Sequence, residues 1–230
     1  MNQQAWQDFV PPILLKSLRA ARGRFAKKLV RPEGKEQDLS VYWDKEMAEI
    51  LETWGDKNVW REIQLLLVNK TGRVLDIACG TGKTMDVLSK FPLEIHGCDI
   101  SDMLIEKAIK RGIPADKLEV CDATNMPYQD DSYNFSYSIG SLEHFSESGI
   151  NQFLKEAFRV TSNISYHQIP VSKDDQNHGW IKTYQSYHNN SVGWWLERFQ
   201  EVYKQVYALD STWEDSISNG KWFICVKNVT

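Results

Sequence analysis

The sequence predicts an α/β protein with a mostly parallel seven-stranded sheet, helices on both faces and an antiparallel last strand. Residues 74–82 (VLDIACGTG) form a short apolar run that leads directly into a glycine turn. Residues 83–90 follow with apolar side chains at helical spacing, and that spacing returns at 103–111 and 147–159. Short apolar runs that alternate with helical segments are typical of a parallel sheet with crossover helices.

The other elements follow from the same two periodicities. Strands are expected near residues 72–78, 94–98, 117–121, 133–138 and 163–169, with a terminal pair near 202–209 and 221–227. Further helices are expected at 41–58, at 59–69 and around Trp194 and Trp195. Residues 1–60 are expected to form a helical arm and residues 61–230 one compact domain, which is long enough to bury a substantial core.

Charge and composition limit the classes of partner. The formal net charge is −4, so nucleic acid is not an expected partner. Residues 16–35 are locally basic, which indicates either a solvated helix or a peripheral contact with an anionic membrane or polyanion. We expect no signal peptide, because the first residues lack a long apolar core, and the four cysteines form no C-x-x-C pair. We therefore expect a cytoplasmic protein with no metal site and reduced thiols.

The glycine turn predicts a ligand that carries a nucleoside, because a strand, a glycine turn and a helix N-terminus together form a cradle for one. A phosphate-binding P-loop would need a further glycine at position 77, where the sequence has Ile77. A dinucleotide site would need a small third residue, where the sequence has Met85. Both alternatives are therefore disfavoured. Gly80 and Gly82 still let backbone amides approach a ligand closely.

Asp99 follows the second predicted strand, roughly 20 residues after the glycine turn, where a carboxylate can accept both hydroxyls of a ribose. The alternative is that Asp99 caps the helix that follows. Ser101 fits the cap better, because its short hydroxyl side chain lies nearer the start of that helix. The sequence therefore favours ribose binding by Asp99.

Four segments, in order, resemble the class I S-adenosylmethionine (SAM)-dependent methyltransferases. Residues 74–82 are similar to the family's first motif, close to V-L-D-x-G-C-G-x-G, with Ala78 in place of the first glycine. The acid after the third strand, residues 125–134 and the L-E-H segment within residues 140–145 match later motifs. The Pro-Gly-Gly turn that is common after the fourth helix is missing at residues 159–163.

The resemblance implies a Rossmann-like fold, SAM as co-substrate and leading helices that cover the SAM site like a lid. It also implies that Asp122 receives the adenine amino group and that Ala123 offers its backbone amide to the ring. The complete set of expected SAM-binding residues is Asp76, Ala78, Cys79, Gly80, Gly82, Asp99, Ile100, Met103, Asp122, Ala123 and Ser138.

The acceptor side is expected after the fourth and fifth strands, because ligands bind beyond the carboxyl ends of parallel strands. Methyl transfer from a sulfonium depends on alignment and exclusion of water, and a hydroxyl acceptor also benefits from a general base. His144 is the first candidate base, and a structural role is the alternative. His167, His178 and His188 are weaker candidates.

The acceptor itself stays open. The aromatic residues of 170–195 are either acceptor contacts or core. Both chain ends loosely resemble methyltransferases of bacterial surface-polysaccharide building blocks, which implies a small-molecule or glycan-linked acceptor. A sugar hydroxyl or a phosphoramidate oxygen is expected first. The alternatives are a lipid or quinone, an amine, a non-catalytic SAM-binding domain and an NAD-dependent oxidoreductase.

Overall fold

The computed structural model describes Ala48, Glu49, Glu52 and residues 59–181 and 186–228. Most of the arm expected at 1–60, including its basic segment, lies outside the described residues. Ala48, Glu49 and Glu52 are helical, and Ala48 is fully buried.

Nine strands are described, and seven of them form one sheet at the centre of the molecule. Those seven are β1 (Gly72–Ile77), β2 (Leu93–Asp99), β3 (Leu118–Val120), β4 (Tyr133–Ile139), β5 (Thr161–Ser172), β8 (Gln205–Glu214) and β9 (Ser218–Val226). The other two, β6 (Trp180–Ile181) and β7 (Tyr187–His188), form a separate antiparallel ribbon.

The seven-stranded sheet has the order β3-β2-β1-β4-β5-β9-β8. Strands β1 to β5 run parallel, whereas β9 is antiparallel to both of its neighbours, β5 and β8. This arrangement confirms the predicted fold class.

Five described helices of six or more residues accompany the sheet: α1 (Val59–Leu66), α2 (Lys83–Leu88), α3 (Asp102–Arg111), α4 (Glu147–Val160) and α5 (Val192–Gln200). Local chemistry fixes several of their ends. Ser101, Ser146 and Ser191 cap α3, α4 and α5 through hydroxyls that accept a backbone amide proton. The role of Ser101 is thereby confirmed. Of these described helices, none combines the length and apolar character needed to cross a bilayer.

The core has two layers, one on each face of the sheet, because successive strand residues point to opposite faces. On β1, Leu75 and Ile77 belong to the layer that α4 and α5 cover, whereas Val74 belongs to the layer that α1 covers. Helices therefore occupy both faces, as predicted. The layers hold the strand ends in fixed positions, and the candidate site lies at those ends.

Three local features differ from expectation. Helix α4 ends at Val160 and β5 starts at the next residue, Thr161, so the missing Pro-Gly-Gly turn lengthens the strand. Segment 170–190, where the sequence patterns predict no strand, contains the ribbon of β6 and β7. A 3-10 turn, Leu142–His144, has no counterpart in the prediction. This turn follows β4 and carries the L-E-H segment.

Candidate functional site

The glycine turn, residues 78–82, folds back against the end of β2. Ala78, Gly80 and Gly82 have φ angles of 60°, 55° and 70°, a left-handed region that favours glycine. The amide of Cys79 donates to the carbonyl of Cys98 at 2.8 Å. This bond brings the turn beside the acid that ends β2.

Asp99 is 5% exposed and organises this junction. Its Oδ2 accepts the Gly80 amide at 2.9 Å, and its Oδ1 accepts the Ser101 amide at 2.9 Å. The two carboxylate oxygens have about four acceptor sites between them, so the carboxylate keeps acceptor capacity for a ligand hydroxyl. Burial raises the pKa of Asp99 to about 6, which leaves the group mostly ionised at neutral pH.

A cleft of about 410 Å³, including the part open to solvent, lies at the ends of β1, β2, β3 and β4. It brings together five of the expected SAM-binding residues with His144. Among the described residues, no lysine or arginine lines it, whereas two carboxylates do. Its lining residues are Ala78, Cys98, Asp99, Ile100, Cys121, Asp122, Ala123, Ser141, His144 and Phe145.

The other expected SAM-binding residues lie outside this lining. Cys79, Gly80 and Gly82 belong to the turn that supports the cleft. Asp76 is buried, accepts the Tyr137 hydroxyl at 2.9 Å, and has a pKa raised well above its ordinary value by burial.

Met103 and Ser138 also lie outside the cleft lining. Met103 lies in the first turn of α3, where its amide donates to the side chain of Asp102 at 2.6 Å. The Ser138 hydroxyl is fully buried and lies 2.8 Å from Nδ1 of His167 in the core.

Four lining residues are absent from the predicted set: Cys98, Cys121, Ser141 and Phe145. Each lies near the carboxyl end of a parallel strand or in the turn after β4. Position at a strand end is therefore the signal that could have found them.

His144 is oriented by a backbone carbonyl. Its Nδ1 lies 2.9 Å from the carbonyl oxygen of Ser186, which can only accept, so Nδ1 carries the proton. In the neutral ring Nε2 then holds the lone pair. Burial lowers the pKa of His144 to about 4, so the ring is neutral at pH 7.

Glu143 is the buried acid beside His144. It is 3% exposed, and its Oε1 lies 3.8 Å from Nε2 of His144. Its Oε2 has no hydrogen-bond partner among the described residues. Burial raises the pKa of Glu143 to about 8, so a neutral carboxylic acid adjoins a neutral imidazole at pH 7.

Two of the other candidate histidines lie away from the cleft. His167 is fully buried between Phe153 and Phe199, and burial lowers its pKa to about 3. The structure therefore places it in the core. His178 is exposed and contacts Asp174 at 2.9 Å.

His188 packs among aromatic side chains outside the cleft lining. Its ring lies 4.9 Å from that of Trp180 and 5.3 Å from that of Trp194, measured between centroids. Trp180 and Trp194 are half-buried, whereas Trp195 is fully buried in the core. The tryptophans therefore differ in burial. Trp195 belongs to the core, whereas Trp180 and Trp194 form a partly open cluster with His188.

The comparisons with known proteins agree with this geometry. Residues 74–163 match the family model described as a methyltransferase domain. The chain is 41% identical over 86 residues to a probable tRNA methyltransferase 9B of Homo sapiens, across 36% of this chain and 17% of the relative. It is 31% identical over 146 residues to the O-methyltransferase cnsE of Penicillium expansum, across 57% of this chain and 52% of the relative.

A solved structure shares the fold. Phosphoethanolamine N-methyltransferase 2 of Haemonchus contortus, in complex with S-adenosyl-L-methionine, is similar with a TM-score of 0.64 and 15% identity. The likeness covers 86% of this chain and 62% of that one. The chain spans less than two thirds of each of these three proteins. Residues 74–163 are therefore similar to a methyltransferase domain, and the described sheet has the fold of solved SAM-dependent methyltransferases.

Proposed function

We propose that the protein transfers a methyl group from SAM to an oxygen atom of a small-molecule or glycan-linked acceptor. One observation carries the proposal: a single cleft joins Asp99, at the glycine turn, to His144, whose Nε2 holds a lone pair. Asp99 is suited to bind a nucleoside, and His144 is suited to accept a proton from the acceptor hydroxyl. Both groups line one cleft, which supports the proposal because hydroxyl methylation needs a bound methyl donor and a base near the acceptor.

The charge of the cleft supports SAM over other nucleoside ligands. Its lining includes Asp99 and Asp122 and, in the part of the chain that the structure describes, no lysine or arginine. NAD and ATP carry phosphates, which proteins bind with cationic side chains or helix N-termini. SAM carries a cationic sulfonium and no phosphate, so an acidic lining suits it. Asp122 and Ala123 are proposed to hold the adenine, and Asp99 the ribose.

His144 is the proposed general base. Its low pKa, about 4, keeps the ring neutral and ready to accept a proton at pH 7. The same low pKa makes the imidazole a weak base, which favours an acceptor hydroxyl that is itself acidic, such as a phenol.

The chemical class of the acceptor is proposed from the relatives and from the aromatic side chains. Likeness to an O-methyltransferase supports a hydroxyl acceptor. In the cluster of Trp180, His188 and Trp194, Arg198 lies 3.2 Å from the centroid of the Trp194 ring and His188 stacks on that ring. The half-buried Trp180 is therefore the member proposed to pack against a sugar ring or an aromatic acceptor. A hydroxyl or phosphoramidate of a surface polysaccharide is the first candidate acceptor. A lipid or quinone and an amine are the alternatives, and the fractionated extract in the acceptor assay includes all of these classes.

Transfer RNA is a second candidate acceptor because of one specific observation, the 41% identity to a tRNA methyltransferase over 86 residues. That match covers 36% of this chain, and the net charge of −4 does not favour bulk nucleic-acid binding. The basic segment 16–35, outside the described residues, is the part of the chain that would contact RNA, another polyanion or a membrane surface.

Calorimetry with SAM, S-adenosylhomocysteine, NAD and ATP tests the co-substrate. We expect the two SAM-type ligands to bind and the two phosphate-bearing ligands not to bind. Binding of NAD or ATP without SAM would overturn the proposal in favour of an oxidoreductase or a nucleotide-binding protein. A protein that binds SAM but labels nothing in the next experiment would be the non-catalytic alternative.

The acceptor assay incubates the protein and tritiated SAM with fractionated extract, total tRNA and glycan-precursor fractions in separate reactions. Label is expected in an extract or glycan-precursor fraction; label confined to tRNA would establish the second candidate. With the active fraction, His144→Ala should lose about 100-fold or more of the turnover, the usual scale for a general base, and keep its affinity for SAM. His178→Ala, at the exposed histidine, is the matched control and should keep full activity. Full activity of His144→Ala would remove it as the base.

A further inference from the structure

Arg111 ties the glycine turn to a residue outside the compact domain. It is the last residue of α3, and its side chain is 18% exposed. Its Nε donates to the carbonyl oxygen of Thr81 at 2.9 Å, and its Nη2 lies 3.3 Å from the Thr81 hydroxyl. The same Nη2 also donates to both carboxylate oxygens of Glu52. One guanidinium therefore bridges the turn and residue 52.

The end of α3 does not need this arrangement. Gly112, with φ 107°, already closes the helix through an amide that donates to the carbonyls of Ala108 and Ile109. The guanidinium is therefore not a cap for its own helix, and its donors point to the neighbouring turn and to Glu52.

Arg111 and Asp99 hold the glycine turn from two directions. Asp99 accepts the Gly80 amide from the side of the cleft, and Arg111 donates to the carbonyl of the next residue, Thr81. Thr81 is itself buried at 2% exposure, so its polar groups are enclosed by these contacts. Hydrogen bonds at two adjacent residues restrict the backbone conformation of the turn, and the proposed SAM site needs a turn with a fixed conformation.

Glu52 is adapted to this contact. Burial raises the pKa of Glu52, but hydrogen bonds from Arg111 and Thr81 outweigh that effect, so the pKa lies below its ordinary value. The carboxylate is thus ionised near neutral pH and forms a charge-assisted pair with a guanidinium whose planar donors suit it.

We propose that Arg111 is a positioning residue through which the docking of Glu52 and the binding of SAM at the glycine turn stabilise each other. The inference rests on the proposed function, because it needs SAM to bind at that turn. Coupling between two sites is reciprocal, so a ligand that favours the turn held by Arg111 must also favour the contact with Glu52.

Three variants separate the parts of the network. Arg111→Met removes every donor and should weaken S-adenosylhomocysteine binding about tenfold, within the range of ordinary coupling between sites. Arg111→Lys keeps the charge but has no fork to bridge two partners, so it should recover only part of the affinity. Glu52→Gln keeps the shape and loses the charge, and should weaken binding by about fivefold, the lower end of ordinary coupling between sites.

The matched control is Lys110→Met, on the same helix. Lys110 is an exposed cation that pairs with exposed Glu106 at 3.6 Å, so its substitution removes one charge without touching the turn. This variant should keep an affinity within about twofold of the wild type, as for most surface substitutions. Denaturant unfolding of each variant, with and without ligand, identifies any variant that fails to fold.

Hydrogen exchange supplies a readout that a purely structural role would not change. In the wild type, S-adenosylhomocysteine should slow exchange in peptides that contain Glu52; in Arg111→Met, which still folds, the ligand should no longer do so. Arg111→Met with wild-type affinity, equal loss in Lys110→Met, or ligand protection of the Glu52 peptide that survives in Arg111→Met overturns this inference alone. A wild type that does not bind the ligand overturns the proposed function and this inference with it.

Discussion

Ala78 shows that backbone conformation, rather than side-chain size, is the constraint at the first position of the glycine turn. By size alone, alanine is a mild replacement for the family's glycine. Its φ is 60°, however, in a region that costs an L residue about 1–2 kcal/mol. The turn therefore contains strain that the hydrogen bonds of Gly80 with Asp99 and of Thr81 with Arg111 must offset.

At the same scale, Asp99→Ala should weaken SAM binding by about 1–3 kcal/mol, the cost of leaving hydrogen-bonding groups without partners. The loss includes the ribose contacts and the support of the Gly80 amide. Calorimetric titration measures it, and Asp102→Ala, at an exposed acid three residues later, is the control. A dissociation constant equal to that of the wild type would refute the ribose role.

Glu143 should make stability depend on pH. Its pKa is about 8 in the folded protein, against 4.5 for an ordinary glutamate, so between these values the folded state holds a proton that the unfolded state has lost. A group whose pKa is raised by folding stabilises the folded state at low pH, and this stabilisation is lost as the pH rises to the pKa of the folded protein. Between pH 7 and 8 the free energy of unfolding should therefore fall by up to about 1.4 kcal/mol per pH unit.

Between pH 7 and 8, the effect of Glu143 can be measured without a large contribution from the buried histidines. The folded pKa values of His144 and His167 are about 4 and 3, and an ordinary histidine has 6.5, so above pH 7 both rings are mostly neutral in either state. Denaturant titrations across the window should give a smaller slope for Glu143→Gln than for the wild type. Glu106→Gln, at an exposed acid, should keep the wild-type slope. Equal slopes in Glu143→Gln and the wild type would contradict the prediction.

At the scale of elements, Gly97 explains how α2 packs closely on β2 although Met85 occupies the position where a dinucleotide site has a small residue. A Cβ added at Gly97 would lie 2.6 Å from the sulfur of Met85 and 2.9 Å from that of Cys79. The missing side chain at Gly97 of β2 therefore leaves the space that the bulky Met85 of α2 occupies. Met85 is consequently buried at 3% exposure and packs with Cys79 of the glycine turn.

Gly97→Ala should lower the free energy of unfolding by about 1–3 kcal/mol, the usual cost of overpacking a close contact. Chemical denaturation measures this. Gly193→Ala is the control, because its added Cβ meets only the Ser191 hydroxyl at 3.7 Å on an exposed part of α5. It should change stability by no more than about 0.5 kcal/mol. Similar effects at both glycines would refute the packing explanation.

At the scale of the whole molecule, Glu62 joins α1 to the two outermost strands at one end of the sheet. Its carboxylate accepts the Ser211 hydroxyl at 2.6 Å, the Thr212 amide at 2.6 Å and the Trp222 indole N–H at 2.7 Å. The Thr212 partner lies 150 residues away along the chain. Contacts of such separation fix the position of α1 against the sheet.

Glu62→Ala should destabilise the fold by about 2 kcal/mol, because hydrogen bonds to a charged group are lost and the Trp222 N–H is left without its acceptor. Thermal or denaturant unfolding measures the change, and Glu62→Gln should recover part of it. Glu106→Ala, at the exposed partner of Lys110, should be nearly neutral. A loss at Glu106 as large as at Glu62 would contradict the role of this contact.

Sequence patterns alone predict the fold class, the seven strands of the sheet, the glycine turn and the acid at the end of β2. Each depends on local information: two hydrophobic periodicities, turn chemistry at Gly80 and Gly82, and position after a strand. The place of Asp99 beside the turn follows from the same information, since parallel strands end at the same edge of a sheet.

Which polar side chains face the cleft depends on the three-dimensional packing and cannot be read from the sequence patterns. His144 and His167 are both near strand ends in sequence, yet one lines the cleft and the other is in the core beside Ser138. The contact of Arg111 with Thr81 and Glu52 has no local pattern at all. Side-chain direction and such contacts depend on how distant elements pack, and that packing energy is distributed over the whole chain rather than over any window of the sequence.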